Sequence, residues 1–591
     1  MTVGREPTGV AGCQLRAAEF STLAEALDYA ALGRAGFNFY SARDELVEVL
    51  PYRDLREQAM SMGRRMLRAG LASGERVAMV AETGAGFMRA FFACQYAGLI
   101  PVPLPTPAAF AGREGYVEHL RPMLASARPA AVLAPETLLA FVRQAAGVVE
   151  PKALGTFELF DALPESGAEL PRVGEDDLSY LQFSSGSTRS PTGVAVTQRA
   201  LLSNLRSILR ALGARSDDRA TSWLPFYHDM GLVGFILTPL SGQASADYVS
   251  TDEFARRPLI WPTLISRNGA TISYSPSFGY ELCARRAMKV PLGHLDLTRW
   301  RVAGIGGDMI RPRVLGQFAE MFSGCGFRTE AFVASYGMAE ATLAISFAPL
   351  ERGLQVDRVD LDSLRSEGRA IPAHGGSGNV RELVLCGRVV SGHELEIRDE
   401  RNRSLGERQV GRILIRGPSV MKEYFRNSEE TKRVKIDGWL DTGDLGYLAG
   451  GSLVVAGRSK DLILVNGRNI WPQDLEWEVE HQVEGVRAGD VAAFSFDEGD
   501  REHVVLLVAC RMSDPAMRDA LRRAVAEVVR ATAGLNCIVA LAPPNSLPRT
   551  SSGKLSRTRA REMYLASLED EARADDAAAE SEHPPAAVTA R

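Results

Sequence analysis

The apolar residues of this chain fall into short runs separated by polar and glycine-rich stretches, and the texture of those runs predicts the architecture. Arg76–Ala81 (RVAMVA) is a β-branched apolar run and predicts a strand; Gly86–Gly98, rich in Ala, Phe and Met, predicts a buried helix after it. Val132–Leu133 and Val148–Leu154 are weaker strand candidates. Leu178–Phe183 predicts a strand running into a Ser/Gly loop, and Gln198–Leu212 predicts the helix that follows. Strand, loop and helix alternating in this way imply an α/β fold with parallel sheets. From Arg381 the texture changes. Short runs at Leu383–Cys386, Glu394–Ile397 and Gly411–Arg416, with turn residues between them, predict a smaller β-rich subdomain. A further unit begins near Arg458, with a strand at Val504–Ala509 and a helix at Pro515–Ala533 whose apolar face carries Leu521, Val525 and Val528. Residues up to about Ala35 predict a loose N-terminal end and a first helix, and Leu568–Arg591, acidic and alanine-rich, predicts a disordered tail.

Composition narrows the function classes. A chain of 591 residues exceeds a single core, so two or more domains are required. A net charge of −5 gives no electrostatic footprint for nucleic acid. No uninterrupted apolar run is long enough to span a bilayer, and the first residues lack the apolar centre of a secretory signal. The seven cysteines are scattered without a Cys-x-x-Cys pair, the pattern of reduced, mostly buried thiols in a cytoplasmic protein.

Residues Leu181–Val194 (LQFSSGSTRSPTGV) carry the strongest chemical signal. Ser184, Ser185, Gly186, Ser187 and Thr188 combine small hydroxyl donors with a flexible backbone, and such a loop wraps phosphate oxygens through successive N–H groups. It is not a Walker loop, because Gly193 is followed by Val194 and not by Lys-Ser/Thr. Alone it reads equally well as a mobile surface turn.

Four further segments qualify. Ser335–Glu340 (SYGMAE) sets an aromatic that stacks on a planar base beside a glycine, with Glu340 as an oxygen ligand suited to Mg²⁺. In Trp439–Gly446 (WLDTGDLG), Asp444 lies in a turn where a carboxylate accepts ribose hydroxyls, as in other nucleotide sites; an ordinary Asx turn is the plain alternative. Gly457–Gly467 (GRSKDLILVNG) places Arg458, Lys460 and Asp461 between two compositional regions, as a hinge or a solvated linker would. Pro548–Arg557 (PRTSSGKLSR) carries Lys554 after a flexible turn, a point charge for a phosphoryl group. Phe226–Gly231 (FYHDMG) pairs His228 with Asp229, but no second histidine at helical spacing supports zinc. Neither a Gly-x-Ser-x-Gly elbow nor the third glycine of a dinucleotide fingerprint at Gly304–Asp308 is present.

Together and in this order, SSGSTRSPTG, YGMAE, WLDTGD, GRSKD and SSGK resemble the adenylate-forming superfamily of acyl-CoA synthetases, peptide-synthetase adenylation domains and luciferases, from about Phe37 to about Arg559. LQFSSGSTRSPTGV, WLPFYHDMGLVG, YGMAEATL, GRNIWPQDLE and the extra segment Leu350–Val380 resemble its fatty acyl-AMP ligases. Two positions depart from the pattern: Thr192 stands where many members have lysine, and Trp471 where tyrosine or histidine is common.

The resemblance implies a large domain over residues 1–457 of parallel-sheet subdomains plus a β-rich subdomain, with a family-type insertion at about 350–380 linked to poor use of coenzyme A. It implies a small mobile α+β domain over 458–567 and a tail over 568–591. It implies ATP-dependent conversion of a fatty acid to acyl-adenylate with release of pyrophosphate. The acyl group then passes to the phosphopantetheine thiol of an acyl carrier protein, such as that of a polyketide or nonribosomal peptide synthase.

By the same resemblance, Ser185–Thr188 hold the pyrophosphate; Tyr336 stacks on adenine within Ser335–Met338 (with Gly337); and Gly306, Gly307 and Asp308 line the other side. Asp444 holds the ribose with Arg458 nearby, Glu340 holds Mg²⁺, and Lys554 neutralises the α-phosphate. His228 stands where the carboxylate enters, Ser273–Arg286 lines the acyl tunnel, and Lys460 is the hinge. The rivals are an acyl-CoA synthetase and a non-catalytic nucleotide- or lipid-binding protein. Acyl chain length and the identity of the carrier are not legible in the sequence.

Overall fold

The computed structural model describes residues 6–9, 12–107, 112–164, 167, 169–183, 191–373, 379–465, 468–498, 501–550 and 553–582. The chain divides into two compact units. One holds the residues up to Leu364 together with Arg369–Ala456; the other holds Arg365–Gly368 and everything from Gly457 onward.

The first unit is built on parallel strands, as the alternating pattern requires. Ile100–Leu104, Arg76–Val80, Ala131–Leu133 and Ala153–Gly155 form an all-parallel four-stranded sheet. Arg76–Val80 is almost wholly buried, and the helix Ala85–Ala97 after it buries Phe87, Phe91 and Phe92, so neither element shows an amphipathic stripe. A nine-stranded sheet holds the parallel run Gly36–Tyr40, Ser245–Tyr248, Arg219–Ser222, Ile272–Ser275, Val302–Ile305 and Phe332–Gly337. Antiparallel strands close it at both edges. Behind it an aromatic cluster fills the core: Trp261 packs edge-on against Tyr280 at 5.1 Å and against Trp300 at 5.3 Å.

From Arg381 onward the short strands behave as their spacing predicts. Glu394–Arg398, Gly411–Arg416 and Trp439–Ala449 form an antiparallel sheet, to which Ser452–Arg458 adds. Leu383, in contrast, belongs to Val380–Val384, which pairs antiparallel with Val356–Asp360 inside the expected insertion; residues 374–378 of that segment lie outside the described ones.

The second unit is an α+β sandwich in which one strand shows both of its faces. In Arg501–Ala509, Val504, Leu506 and Val508 face the helices Pro472–Gln482 and Pro515–Ala533, while Val505, Leu507 and Ala509 face the helix that starts at Arg557. Pro515–Ala533 buries Leu521, Val525, Val529 and Ala533; Val528, expected on that face, is only partly buried, because a spacing of four tracks the stripe and a spacing of three drifts off it.

Near both ends the described residues carry structure within the stretches expected to be loose or disordered. Within the stretch expected to be loose, Thr8 is held: it is buried, its N–H donates to Asn38 Oδ1 at 2.9 Å, and its hydroxyl meets Ser245 Oγ at 2.9 Å. At the other end, helix Arg557–Glu582 runs through the first part of the stretch expected to be disordered. Alanine and glutamate favour helix even without a core-facing stripe, so composition excludes a core there but not a helix. Residues 583–591 lie outside the described ones. No helix among the described residues is long and apolar enough to cross a membrane, and five of the seven cysteines are buried and all seven are unpaired.

Candidate active site

Parallel strands end together, and the backbone beyond their carboxyl ends forms a crevice. In the first unit, Val302–Ile305 and Phe332–Gly337 are adjacent and in register, with Ile305 beside Ala334. The two segments that continue them, Gly306–Asp308 and Ser335–Met338, therefore lie side by side. Ser335 Oγ donates to Ile305 O at 3.2 Å. A Cβ on Gly306 would stand 2.7 Å from that same Oγ. Gly307 has φ +79, a conformation that side chains other than glycine rarely take, and a Cβ there would meet Met230 Cε at 3.3 Å. Asp308 Oδ1 accepts the N–H of Met309 at 2.8 Å.

Met230 brings in the FYHDMG segment. His228 caps the short helix Asp229–Leu232; its Nδ1 lies 2.7 Å from Asp229 Oδ1 and 3.3 Å from the N–H of Met230. The chain continues into a π-helical turn at Val233–Leu237, a distortion that recurs at functional sites. In the stretch expected to line the acyl tunnel, Phe278 on the helix Ser277–Ala287 sits 5.5 Å from the ring of Trp223, which stacks on Phe254 at 3.9 Å. Arg285 and Arg286, at the other end of that helix, are exposed.

Asp444 is placed by a bulge, not by the isolated turn expected from its flanking residues. It lies within the strand Trp439–Ala449, where pairing with Gly411–Arg416 breaks between Leu445 and Asp441. Thr442 Oγ1 donates to Ile413 O at 2.8 Å, and the bulge re-aims Asp444. The hydroxyl of Tyr336 then donates to Asp444 Oδ2 at 2.7 Å, across 108 residues of sequence.

Glu340 lies in a single 3-10 turn, Ala339–Ala341, and is 7% exposed. Tyr424 donates its O–H to Glu340 Oε1 at 2.8 Å, and Met421 N–H donates to Glu340 O at 2.7 Å. Burial, and then the neighbouring Glu340 carboxylate, push the Tyr424 hydroxyl well above its ordinary pKa, so it remains a donor. Immediately after the turn, Thr342 takes φ +71, which is strained for a β-branched residue, and is held there by its hydroxyl donating to Ser419 O at 2.7 Å. Ser419 Oγ in turn donates to Ala341 O at 3.1 Å and lies 2.7 Å from His393 Nε2.

Tyr424 and Ser419 carry no motif, and sequence reasoning did not find them; the Tyr424–Glu340 contact spans 84 residues. Replacing Tyr424 by phenylalanine is expected to lower stability by about 1.5–3 kcal/mol, the worth of a hydrogen bond to a charged group. Denaturant unfolding checks this, and an unchanged midpoint would mean that the carboxylate finds water instead.

Ser185, Gly186, Ser187 and Thr188 lie outside the described residues, but their stems are defined. Leu178–Phe183 pairs antiparallel with Gly193–Thr197, Phe183 opposite Gly193, and the helix Gln198–Ala211 follows. The strand-to-helix connection expected from the sequence omitted this second strand, although its Val194–Thr197 run (VAVT) is β-branched.

Arg458, Lys460 and Lys554 belong to the second unit. Gly457 has φ +154, and a Cβ there would stand 2.7 Å from the ring of buried Trp471. Arg458 and Lys460 are exposed at the 3-10 turn Ser459–Asp461. Lys554 sits in a small closed loop: Thr550 N–H donates to Lys554 O at 2.8 Å, Lys554 N–H donates to Thr550 Oγ1 at 3.2 Å, and Arg549 pairs with Leu555 in a single bridge. Behind the loop, Arg557 forks onto Glu476 at 2.7 and 2.6 Å and reaches Asp461 at 2.9 Å.

Residues 40–425 match the AMP-binding enzyme family. A Caulobacter vibrioides protein whose name proposes an acyl-CoA synthetase is 50% identical over 93% of this chain and 96% of its own. The medium-chain-fatty-acid–[acyl-carrier-protein] ligase JamA of Moorena producens is 30% identical over 93% of this chain and 95% of its own. A solved structure from a study of fatty acyl-adenylate ligases of E. coli and L. pneumophila superposes with TM-score 0.90 at 44% identity, covering 94% of this chain and 100% of that one.

Proposed function

The chain belongs to the AMP-binding enzyme family and is an adenylate-forming fatty acyl-AMP ligase, and from that premise we propose that it activates a fatty acid with ATP, releases pyrophosphate and passes the acyl group to the thiol of an acyl carrier protein. The observation that carries the reading is the convergence in one unit of Gly306–Asp308, Ser335–Met338, the Tyr336–Asp444 bond, the buried Glu340 and His228. An adenine base fits between backbone glycines and Tyr336, with its ribose on Asp444. The carboxylate entry is assigned to His228, and the phosphates to the hydroxyls and backbone of Ser185–Thr188. Lys554, brought in from the second unit by rotation at Lys460, neutralises the α-phosphate as it is attacked. Arg458 assists the ribose in one orientation of that unit.

Two anions have to meet, so charge neutralisation and positioning carry the rate, with little covalent chemistry by the protein. Magnesium fits this donor set. Among the described residues no cluster of three His, Cys, Asp or Glu could hold a metal, and a buried carboxylate such as Glu340 suits Mg²⁺, which takes most of its ligands from substrate phosphates and water. When bound it neutralises phosphate charge. Glu340→Gln is expected to raise the Mg²⁺ needed for half-maximal activity by about a hundredfold or more while leaving fatty-acid KM nearly unchanged, a loss on the scale of one electrostatic stabiliser. Identical Mg²⁺ titrations would remove Glu340 from this role.

The carrier as acceptor is supported by the name of the Moorena relative and by the Leu350–Val380 segment. The Caulobacter relative's name favours a second reading, coenzyme A as acceptor. Mass spectrometry with equal free coenzyme A and phosphopantetheinylated carrier decides: acyl-carrier is expected, and acyl-CoA as the main product would establish the rival.

A further inference from the structure

A groove of about 430 Å³ opens on the first unit, beside the carboxyl end of the strand Gly36–Tyr40. Its walls are the loop after Gly36–Tyr40, the start of the helix Ile260–Asn268 and the end of the helix Ser277–Ala287. Arg43, Arg257 and Arg286 all line it. All three are exposed, and none of their guanidinium groups makes an ion pair or hydrogen bond with a described residue. The one acid on the wall, Asp44, is already neutralised by Arg267 at 2.9 Å. Three like charges around one concavity repel each other, and no internal acid offsets them, in a chain whose net charge is −5.

The groove is not purely polar. Leu259, Ile260 and Val290 contribute apolar wall, and Met288, at the helix end, is 66% exposed beside exposed Lys289. Unpaired cations interleaved with exposed apolar side chains are the composition of a surface that lies on an anionic membrane.

We propose that this face docks on an anionic lipid bilayer, with a headgroup phosphate between Arg43, Arg257 and Arg286 and with Met288 and Val290 entering the interface. The cavity has the volume of a small-molecule site, enough for one headgroup and its neck but too small for a partner helix, which favours lipid over an acidic protein. The helix Ser277–Ala287 connects this face to Phe278 and Trp223. Docking would therefore place the acyl-binding stretch near the phase into which fatty acids partition. That link rests on the proposed function; the docking itself does not.

The test uses the full chain in co-sedimentation with vesicles of phosphatidylcholine alone or mixed equally with phosphatidylglycerol, at low and high salt. Expected is binding to the mixed vesicles only, weakened by salt. In the triple variant Arg43→Gln, Arg257→Gln, Arg286→Gln the affinity should fall about a hundredfold, each cation near such a surface contributing about fivefold. Met288→Asp, which leaves the groove intact, should weaken binding as well. Coincident thermal unfolding of variants and wild type shows that the fold is retained. Wild type that stays in the supernatant, or binds both vesicle types equally, overturns the proposal. So does a triple variant that keeps its vesicle binding while losing acylation of a carrier protein, because the patch then belongs to a protein partner.

Discussion

Replacing Lys554 with alanine is expected to lower adenylate formation by about two to three powers of ten or more, the cost of losing one preorganised electrostatic stabiliser. The fatty carboxylate and the α-phosphate are both anions, and a single ammonium placed between them offsets their repulsion. The effect is expected in one half-reaction only. Fatty-acid-dependent ATP–pyrophosphate exchange should collapse, whereas transfer from supplied acyl-AMP to the acceptor thiol should proceed, since that step does not need the ammonium. Exchange at wild-type rate would remove Lys554 from the chemistry, and equal loss of both half-reactions would point to damage in the second unit as a whole.

The second large effect is expected at Arg557. Its guanidinium is 19% exposed, and it faces Glu476 at 4% and Asp461 at 11%. Burial alone would lower its pKa, but the two carboxylates outweigh burial and hold it above its ordinary value. Arg557→Met leaves two buried carboxylates uncompensated, and breaking such a pair costs about 3–5 kcal/mol. Unfolding of the second unit, followed by circular dichroism or hydrogen exchange, reads this directly. Glu476→Gln in the same chain should recover part of the loss, because the amide oxygen keeps accepting the Ala493 N–H, now at 3.0 Å from Glu476 Oε1, and the uncompensated charge is gone. Arg557 follows the loop of Lys554, and Asp461 follows Lys460, so the triad ties the lysine and the proposed hinge into one body within the second unit. A variant as stable as wild type would show that solvent reaches the triad and that the tie is weak.

Much of the fold was legible because local pattern and tertiary demand agree. The helix Pro515–Ala533 was legible from its apolar face, and Asp514 as cap and Gly534 at its end hold it to those bounds. Leu178–Phe183 and Gly411–Arg416 were bounded equally well by their apolar runs. Legibility failed where a residue's setting depends on a distant segment. WLDTGD named Asp444 as an acid in a turn, but the bulge that aims it arises from pairing with Gly411–Arg416, which no local window contains. YGMAE named Glu340, but the Tyr424 hydroxyl that holds it, and the Ser419 carbonyl that holds the strained Thr342, come from a segment with no motif. In the first part of the tail the absence of a core-facing stripe excludes packing, yet the helix after Arg557 needs only propensity and short-range ion pairs such as Arg573 with Glu569.

The most direct measurement omits the acceptor. Wild-type protein is mixed with ATP, Mg²⁺ and a fatty acid without any thiol, and the products are weighed by mass spectrometry. Fatty acyl-AMP and pyrophosphate are expected to form together, neither of them when the fatty acid is left out; ADP and phosphate, or pyrophosphate released without fatty acid, would contradict the assignment.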